Sequence, residues 1–284
     1  MRFVIDTNQV HDIVRSGPPH TFCPTLVIAP LIWSEFISQQ RLTSCLPALA
    51  LYDLAFGMGY PHILDALRCL NEDQIRHFVP VYPADSEPHI ILRQVFCSPG
   101  PRHFRYAKEL AHDANQDRKR WLSWFEQRKK ENRDATLRGE NIELAEFSNI
   151  EEADSHFFYG DKGVRRRTLP LIGEITAGDK EVRALSADSL CDAVLANPSL
   201  KRFLRLHITF SLAYIDSWST ETMNNLGDLQ ANRNDVPDIM LALYAADGDT
   251  ILTNDKRLQA AFRFCDPLEK VRVSTWYAES QGIG

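Results

Sequence analysis

The chain has 284 residues, 44% of them hydrophobic, and a net charge of −6. That length holds one large domain or two ordinary ones with a real core, and the negative balance excludes a protein that coats nucleic acid by overall charge. No run approaches the roughly 18 uninterrupted apolar residues of a spanning helix, Met1 leads directly into Arg2-Phe3-Val4-Ile5-Asp6 without a secretory segment, and a non-membrane protein of the cytoplasm is expected.

In chain order, Arg2 to Ile5 is a short apolar run ending at Asp6, and Thr7-Asn8 leads into apolar-spaced Val10, Ile13 and Val14. This pattern predicts strand, turn, helix. After a Gly17-Pro18-Pro19 break, Thr25-Leu26-Val27-Ile28 predicts a second strand, and Pro30 opens a helix through Leu31, Trp33, Phe36 and Ile37. From Gly57 to Leu204 the texture is helical, notably over His89–Phe96, His103–Arg133, Asn141–Phe158 and Asp188–Ala196, with breaks at Pro80–Pro88, Ser98–Pro101 and Gly160–Gly178. Towards the end, Asp235–Ala246 predicts a helix, Thr250–Thr253 a strand, Asp255–Phe262 a helix and Val271–Ser274 a last strand.

Short apolar strands alternating with helices at both ends argue for one α/β domain with a parallel sheet flanked by helices, assembled from residues 1–56 and 205–284. Residues 57–204 then form a mainly helical insertion or cap. The six cysteines, Cys23, Cys45, Cys69, Cys97, Cys191 and Cys265, are dispersed without a C-x-x-C pair or a zinc-like His/Cys spacing, as expected of thiols in a reducing compartment.

Four acids fall at or just beyond strand ends or in the first turns of the following helices: Asp6, Glu35, Asp238 and Asp255. Open α/β sheets bind ligands at the carboxyl ends of their strands. Two carboxylates about 4 Å apart repel by roughly 4 kcal/mol at an effective dielectric near 20, so a fold that gathers several needs a cation. Oxygen ligands without His or Cys select Mg²⁺ or Mn²⁺, ions that activate water and polarise phosphodiesters.

Phe3-Val4-Ile5-Asp6-Thr7-Asn8, Ile32-Trp33-Ser34-Glu35, and Asp238 followed by an Ala-containing helix and Thr253-Asn254-Asp255 together resemble the PIN domain family. The resemblance covers only the two ends of the chain. It implies a PIN-like fold and a metal-dependent endoribonuclease, with Mg²⁺ or Mn²⁺ and in-line attack by water to leave a 5′-phosphate. Asp6, Glu35, Asp238 and Asp255 would be its catalytic and metal-binding acids, Asp235 an additional ligand, and Asn8 and Thr253 supporting residues. The same acids would also suit a structure-selective DNA nuclease, and a catalytically inactive PIN-like binding module is an alternative of a different class. RNA is the expected partner, with a homo-oligomer or an inhibitory protein as further candidates.

Each acid also has a plainer reading. Asp6 and Asp255 could cap the helices that follow them, Asn8 could be a second local cap, and Glu35 a solvated helix residue. Asp235 and Asp238 share a helical face at i and i+3, and Asp235 is a good N-cap for a helix with Pro237 in its first turn. Thr253 either meets a phosphate or packs the strand end. Between Arg102 and Arg138 eleven Lys/Arg face six Asp/Glu, a net +5 that leaves −11 elsewhere. Arg118, Lys119, Arg120, Trp121, Arg128, Lys129 and Lys130 in this stretch, and Arg165, Arg166 and Arg167 beyond it, are candidate contacts for phosphates and bases; the alternative is an amphipathic helix with a solvated charged face.

Overall fold

The computed structural model describes residues 1–18, 24–97, 100–137, 147–160, 170–176, 185–214, 218–227, 235–268 and 270–280. Within those ranges some helical side chains lie outside the description, Trp121, Arg128, Lys129 and Asp235 among them. Arg165, Arg166 and Arg167 lie outside the described residues altogether.

Five strands, β1 (Arg2–Ile5), β2 (Thr25–Ile28), β3 (Asp53–Phe56), β4 (Thr250–Leu252) and β5 (Arg272–Ser274), form one sheet in the order β3-β2-β1-β4-β5. Every neighbouring pair is parallel. Helices flank the sheet, so the fold is the α/β parallel architecture expected. Phe3, Val4, Ile5, Leu26, Val27, Ile28, Ile251 and Leu252 are fully buried, as strands covered on both faces require.

The first helices are α1 (Val10–Ser16), α2 (Pro30–Ser38), α3 (Gln40–Thr43) and α4 (Leu46–Leu49). Between β3 and β4 the named elements are all helical: α5 (Tyr60–Cys69), α6 (Glu72–Arg76), α7 (Glu87–Cys97), α8 (Pro101–Leu137), α9 (Ile150–Phe157), α10 (Pro170–Thr176), α11 (Ala187–Ala196), α12 (Pro198–Tyr214), α13 (Thr220–Leu226) and α14 (Asp235–Tyr244). The chain closes with α15 (Lys256–Cys265) and α16 (Trp276–Ser280). α12 runs unbroken across position 204, where the sequence pattern suggests a division, and Phe203 and Leu206 enter the same core on either side of it. No helix among the described residues is long and apolar enough to cross a membrane.

Three elements differ from the sequence pattern. β3 is a strand where no strand pattern stands out. Of the helix expected from Asn141 to Phe158, residues 141–146 lie outside the described residues, and α9 begins at Ile150, where the Asn149 side chain accepts from Glu152 N at 2.9 Å and caps it. α10 occupies part of the expected Gly160–Gly178 break.

The aromatic centre of the core is Trp33, stacked on Phe56 and tilted against Phe96, with Phe36 edge-on. It locks α2 against β3 and α7, and thereby fixes where Glu35 emerges. At the start of β1, Arg2 donates to Asp249 (Nε 2.9 Å) and to Tyr244 O (3.2 Å), tying the end of α14 to that strand. Gly57 is required because the Tyr244 ring lies where its Cβ would be, 2.6 Å away. That absence of a side chain lets the Tyr244 hydroxyl reach Met58 O at 2.8 Å.

Candidate functional site

The strand order reverses between β1 and β4, since successive strands run outward from β1 on one side and from β4 on the other. In open α/β sheets this switch point opens a crevice at the carboxyl ends of the strands. Asp6 leaves the end of β1 there with extended backbone, and its N–H still bonds to Leu252 O at 3.0 Å.

The Asp6 side chain does not cap the following turn. Instead its Oδ2 accepts from Asn8 Nδ2 at 2.5 Å and from Thr253 Oγ1 at 2.7 Å. Thr253 is fully buried. Its hydroxyl spends its proton on Asp6 and accepts from Asp255 N at 3.0 Å and Asn8 Nδ2 at 3.3 Å, which uses all of a hydroxyl's capacity. Asn8 Oδ1 accepts from Asn254 N at 3.0 Å. One amide and one hydroxyl thus stitch the ends of β1 and β4 together around a single carboxylate.

Burial pushes the Asp6 carboxyl above its ordinary value. The Thr253 hydroxyl and the backbone N–H groups of Asn8 and Thr7 pull it back, and the negative charge of Glu35 adds to the rise. Glu35, half-buried in α2, is therefore close enough for the two acids to interact.

Asp255 follows its plainer reading at one oxygen. Oδ1 accepts from Arg257 N at 2.8 Å and Leu258 N at 3.2 Å and caps α15. Its backbone bond to Thr253 nevertheless keeps it beside Asp6. Asp238 is buried in the first turns of α14. Because the Tyr244 hydroxyl already reaches Met58, just past the end of β3, Asp238 stands about 9 Å further along the helix axis, on the carboxyl-end side. Asp235 lies in the same helix, its side chain outside the description. Among the described residues, no group of three or more His, Cys, Asp or Glu side chains converges closely enough to hold a metal ion. Of the expected acids, Glu35 lies within electrostatic reach of Asp6, and Asp255 is joined to Asp6 through Thr253.

Gln9 has no signal in the sequence, yet it is fully buried and works for the site. Its Nε2 lies 3.3 Å from Asn8 Oδ1, and its Oε1 accepts from Trp276 N at 2.7 Å, linking Asn8 to α16. Gln259 Nε2 donates to Thr253 O at 2.8 Å and steadies the other side.

Of the basic residues, Arg118 lines a narrow cleft with Pro30, Leu31, Tyr60, Met240 and Tyr244, where α8 crosses the starts of α2 and α5. Lys119, Arg120 and Lys130 are exposed on α8. The buried residues of α8 among those described are Ala107, Leu110, Ala111 and Ala114, and Leu122 further along packs against the core.

Comparison with protein-family models, with curated proteins and with solved structures returns no match for this chain. What fold and geometry define is a parallel α/β domain with a braced, partly buried carboxylate at its switch point.

Proposed function

We propose that this chain is a PIN-like, metal-dependent nuclease acting on RNA in the cytoplasm, with Asp6 at the centre of its active site. The observation that carries the reading is the Asp6 carboxylate itself: held by Asn8 and Thr253, raised in pKa by burial, and facing the charge of Glu35. Such an arrangement is costly without a cation. Magnesium-type ions need only one or two carboxylates and keep their remaining positions for water and phosphate, so the Asp6–Glu35 pair suits Mg²⁺ or Mn²⁺ without a third acid. A bound ion would supply a water of lowered pKa and positive charge beside the phosphodiester.

The chain's own residues have separable tasks. Asn8 and Thr253 hold one oxygen of Asp6 in place. Glu35 faces it from α2. Asp255 sets the start of α15 and keeps Thr253 in register, while Asp238 and Asp235 bring further acidity from α14. Arg118, at the cleft between α8, α2 and α14, is placed to meet a phosphate. The five described cysteines are all free thiols, compatible with a reducing compartment.

One observation favours a second reading, an inactive PIN-like module that binds a partner: Asp255 spends an oxygen on its helix cap and no triad of acids converges among the described residues. Incubating the purified chain with labelled RNA and DNA in Mn²⁺, Mg²⁺ or EDTA separates the readings. RNA cleavage that needs metal and is lost in Asp6→Asn supports the proposal. Cleavage of DNA alone replaces the substrate, and a folded protein that cuts neither leaves the binding module.

A further inference from the structure

We propose that Gln9 is a positioning residue that couples the Asp6 site to the seating of α16, so that displacing this helix loosens the grip of Asn8 on Asp6; the consequence drawn for metal binding rests on the nuclease reading above. Asn8 is exposed, and water competes for the amide of an exposed asparagine. Gln9 beneath it is fully buried. A buried carboxamide needs partners for both its oxygen and its nitrogen, and Gln9 finds them at opposite ends of the chain. Its Oε1 accepts from Trp276 N at 2.7 Å, and its Nε2 donates to Asn8 Oδ1 at 3.3 Å.

The direction of these bonds is set by backbone groups. A backbone N–H only donates, so Trp276 N obliges Gln9 to turn its oxygen towards α16 and its nitrogen towards Asn8. Asn254 N donates to the same Asn8 Oδ1 at 3.0 Å. With two donors on its oxygen, Asn8 turns Nδ2 to Asp6 Oδ2 at 2.5 Å, the polarity a carboxylate requires. Asn8 is thus secured from the end of β4 by Asn254 and from α16 by Gln9. Only the second support can be withdrawn while β1 and β4 stay paired.

The seat of α16 is suited to such withdrawal. The helix has five residues, too few to hold its form without tertiary packing. Trp276 seats it, edge-on to Phe3 and Tyr52 with ring centroids 5.9 and 6.0 Å apart, and Glu279 accepts from Arg272 Nη2 at 3.0 Å. Two buried atoms of the same helix, Trp276 Nε1 and Glu279 Oε1, have no hydrogen-bond partner among the described residues. Each weakens the seat by desolvation that no bond offsets. Coupling through Gln9 is reciprocal, so whatever orders Asp6 and Asn8 also seats α16.

The test follows the Asn8 side-chain amide by ¹⁵N relaxation and the Ala278 and Glu279 amides of α16 by hydrogen exchange, both in EDTA. Gln9→Met keeps the length of the side chain and neither bond; Trp276→Leu loosens α16 from within, and Arg272→Leu loosens it from an exposed position by freeing Glu279. In wild type the Asn8 order parameter should lie near the rigid value of about 0.85, and in all three variants it should fall towards the flexible range below about 0.6. Exchange in α16 should quicken about tenfold in Gln9→Met, the scale of one hydrogen bond. Adding Trp276→Leu to Gln9→Met should loosen Asn8 no further, because the route from α16 is already cut. An Asn8 amide as rigid as in wild type in any of the three, or a Trp276→Leu effect that persists in full on the Gln9→Met background, overturns the proposal. Mn²⁺ alone, titrated by calorimetry, should bind Gln9→Met about three- to tenfold more weakly than wild type, short of the roughly 10–100-fold loss typical when a ligand's direct partner is removed. Failure of Mn²⁺ to bind wild type removes the metal reading and leaves the relay to the amide measurements, whereas equal binding with Asn8 rigid throughout removes the relay and keeps the metal.

Discussion

Replacing Thr253 with Val removes one hydroxyl and almost nothing else, which makes it the sharpest probe of the Asp6 site. The lost Oγ1 donates to the Asp6 carboxylate at 2.7 Å and accepts from Asp255 N at 3.0 Å. A hydrogen bond to a charged partner contributes about 1.5–3 kcal/mol, and a half-buried N–H left without an acceptor costs about 1 kcal/mol or more. Thr253→Val should therefore lose about 3 kcal/mol of stability, or about 6–12 °C in melting temperature for a chain of this size. Thr253→Ser keeps the hydroxyl and should lose only about 1 kcal/mol for the missing methyl. The Thr253 bond is also the strongest of the influences that hold the Asp6 carboxyl down, so the valine variant should raise the Asp6 pKa further. Urea denaturation at neutral pH and carbon-detected NMR titration of the Asp6 carboxyl read the two effects separately. A loss below about 0.5 kcal/mol, the range of an ordinary surface change, together with an unmoved Asp6 titration, would refute the assignment of Thr253 as the brace.

Asp6→Asn tests the charge rather than the brace. A carboxyl raised in the folded state contributes stability that is complete below the ordinary value of 3.8 and lost as pH rises through the folded value; the variant should thus be more stable than wild type at pH 7 in EDTA, and the advantage should shrink towards pH 4 in denaturant titrations. Mn²⁺ should raise the melting temperature of wild type by binding linkage and do so less in Asp6→Asn and Glu35→Gln, and equal shifts in all three would place the ion elsewhere. Gly57→Ala should destabilise by about 1–3 kcal/mol through overpacking, because the new Cβ meets the Tyr244 ring; pairing it with Tyr244→Leu should recover most of the loss in equilibrium unfolding, and no recovery would mean the strain is in the backbone.

How far the sequence discloses this fold depends on whether an element carries its own signal. β1, β2 and β4 are apolar and largely β-branched, and each is followed by helix-forming sequence, so they are legible. β3 is not. Asp53-Leu54-Ala55-Phe56 contains no β-branched residue and follows the helical Leu46–Leu49, and it becomes a strand because pairing with β2 and packing on Trp33 outweigh its weak propensity. The start of α9 is legible in principle, since Asn149 stands three residues before Glu152, the spacing of a helix N-cap signature.

The site divides along the same line. Asp6 is legible as an acid at a strand end, but whether such an acid caps, binds or braces depends on partners far away in the chain. Asp6 and Asp255 look alike in sequence and differ in structure: the first turns from its own turn to Thr253, the second bonds the N–H groups of α15. What decides is register. β1 pairs with β4 so that Ile5 stands opposite Leu252, and the residues that follow, Asp6 and Thr253, then become neighbours although 247 positions separate them. A slip of one residue in β1 would turn the Asp6 side chain to the opposite face and away from the Thr253 hydroxyl. The apolar pattern that fixes this register is thus also what builds the site, and Gln9, bonded to both Asn8 and Trp276, can be recognised only once that pairing is in place.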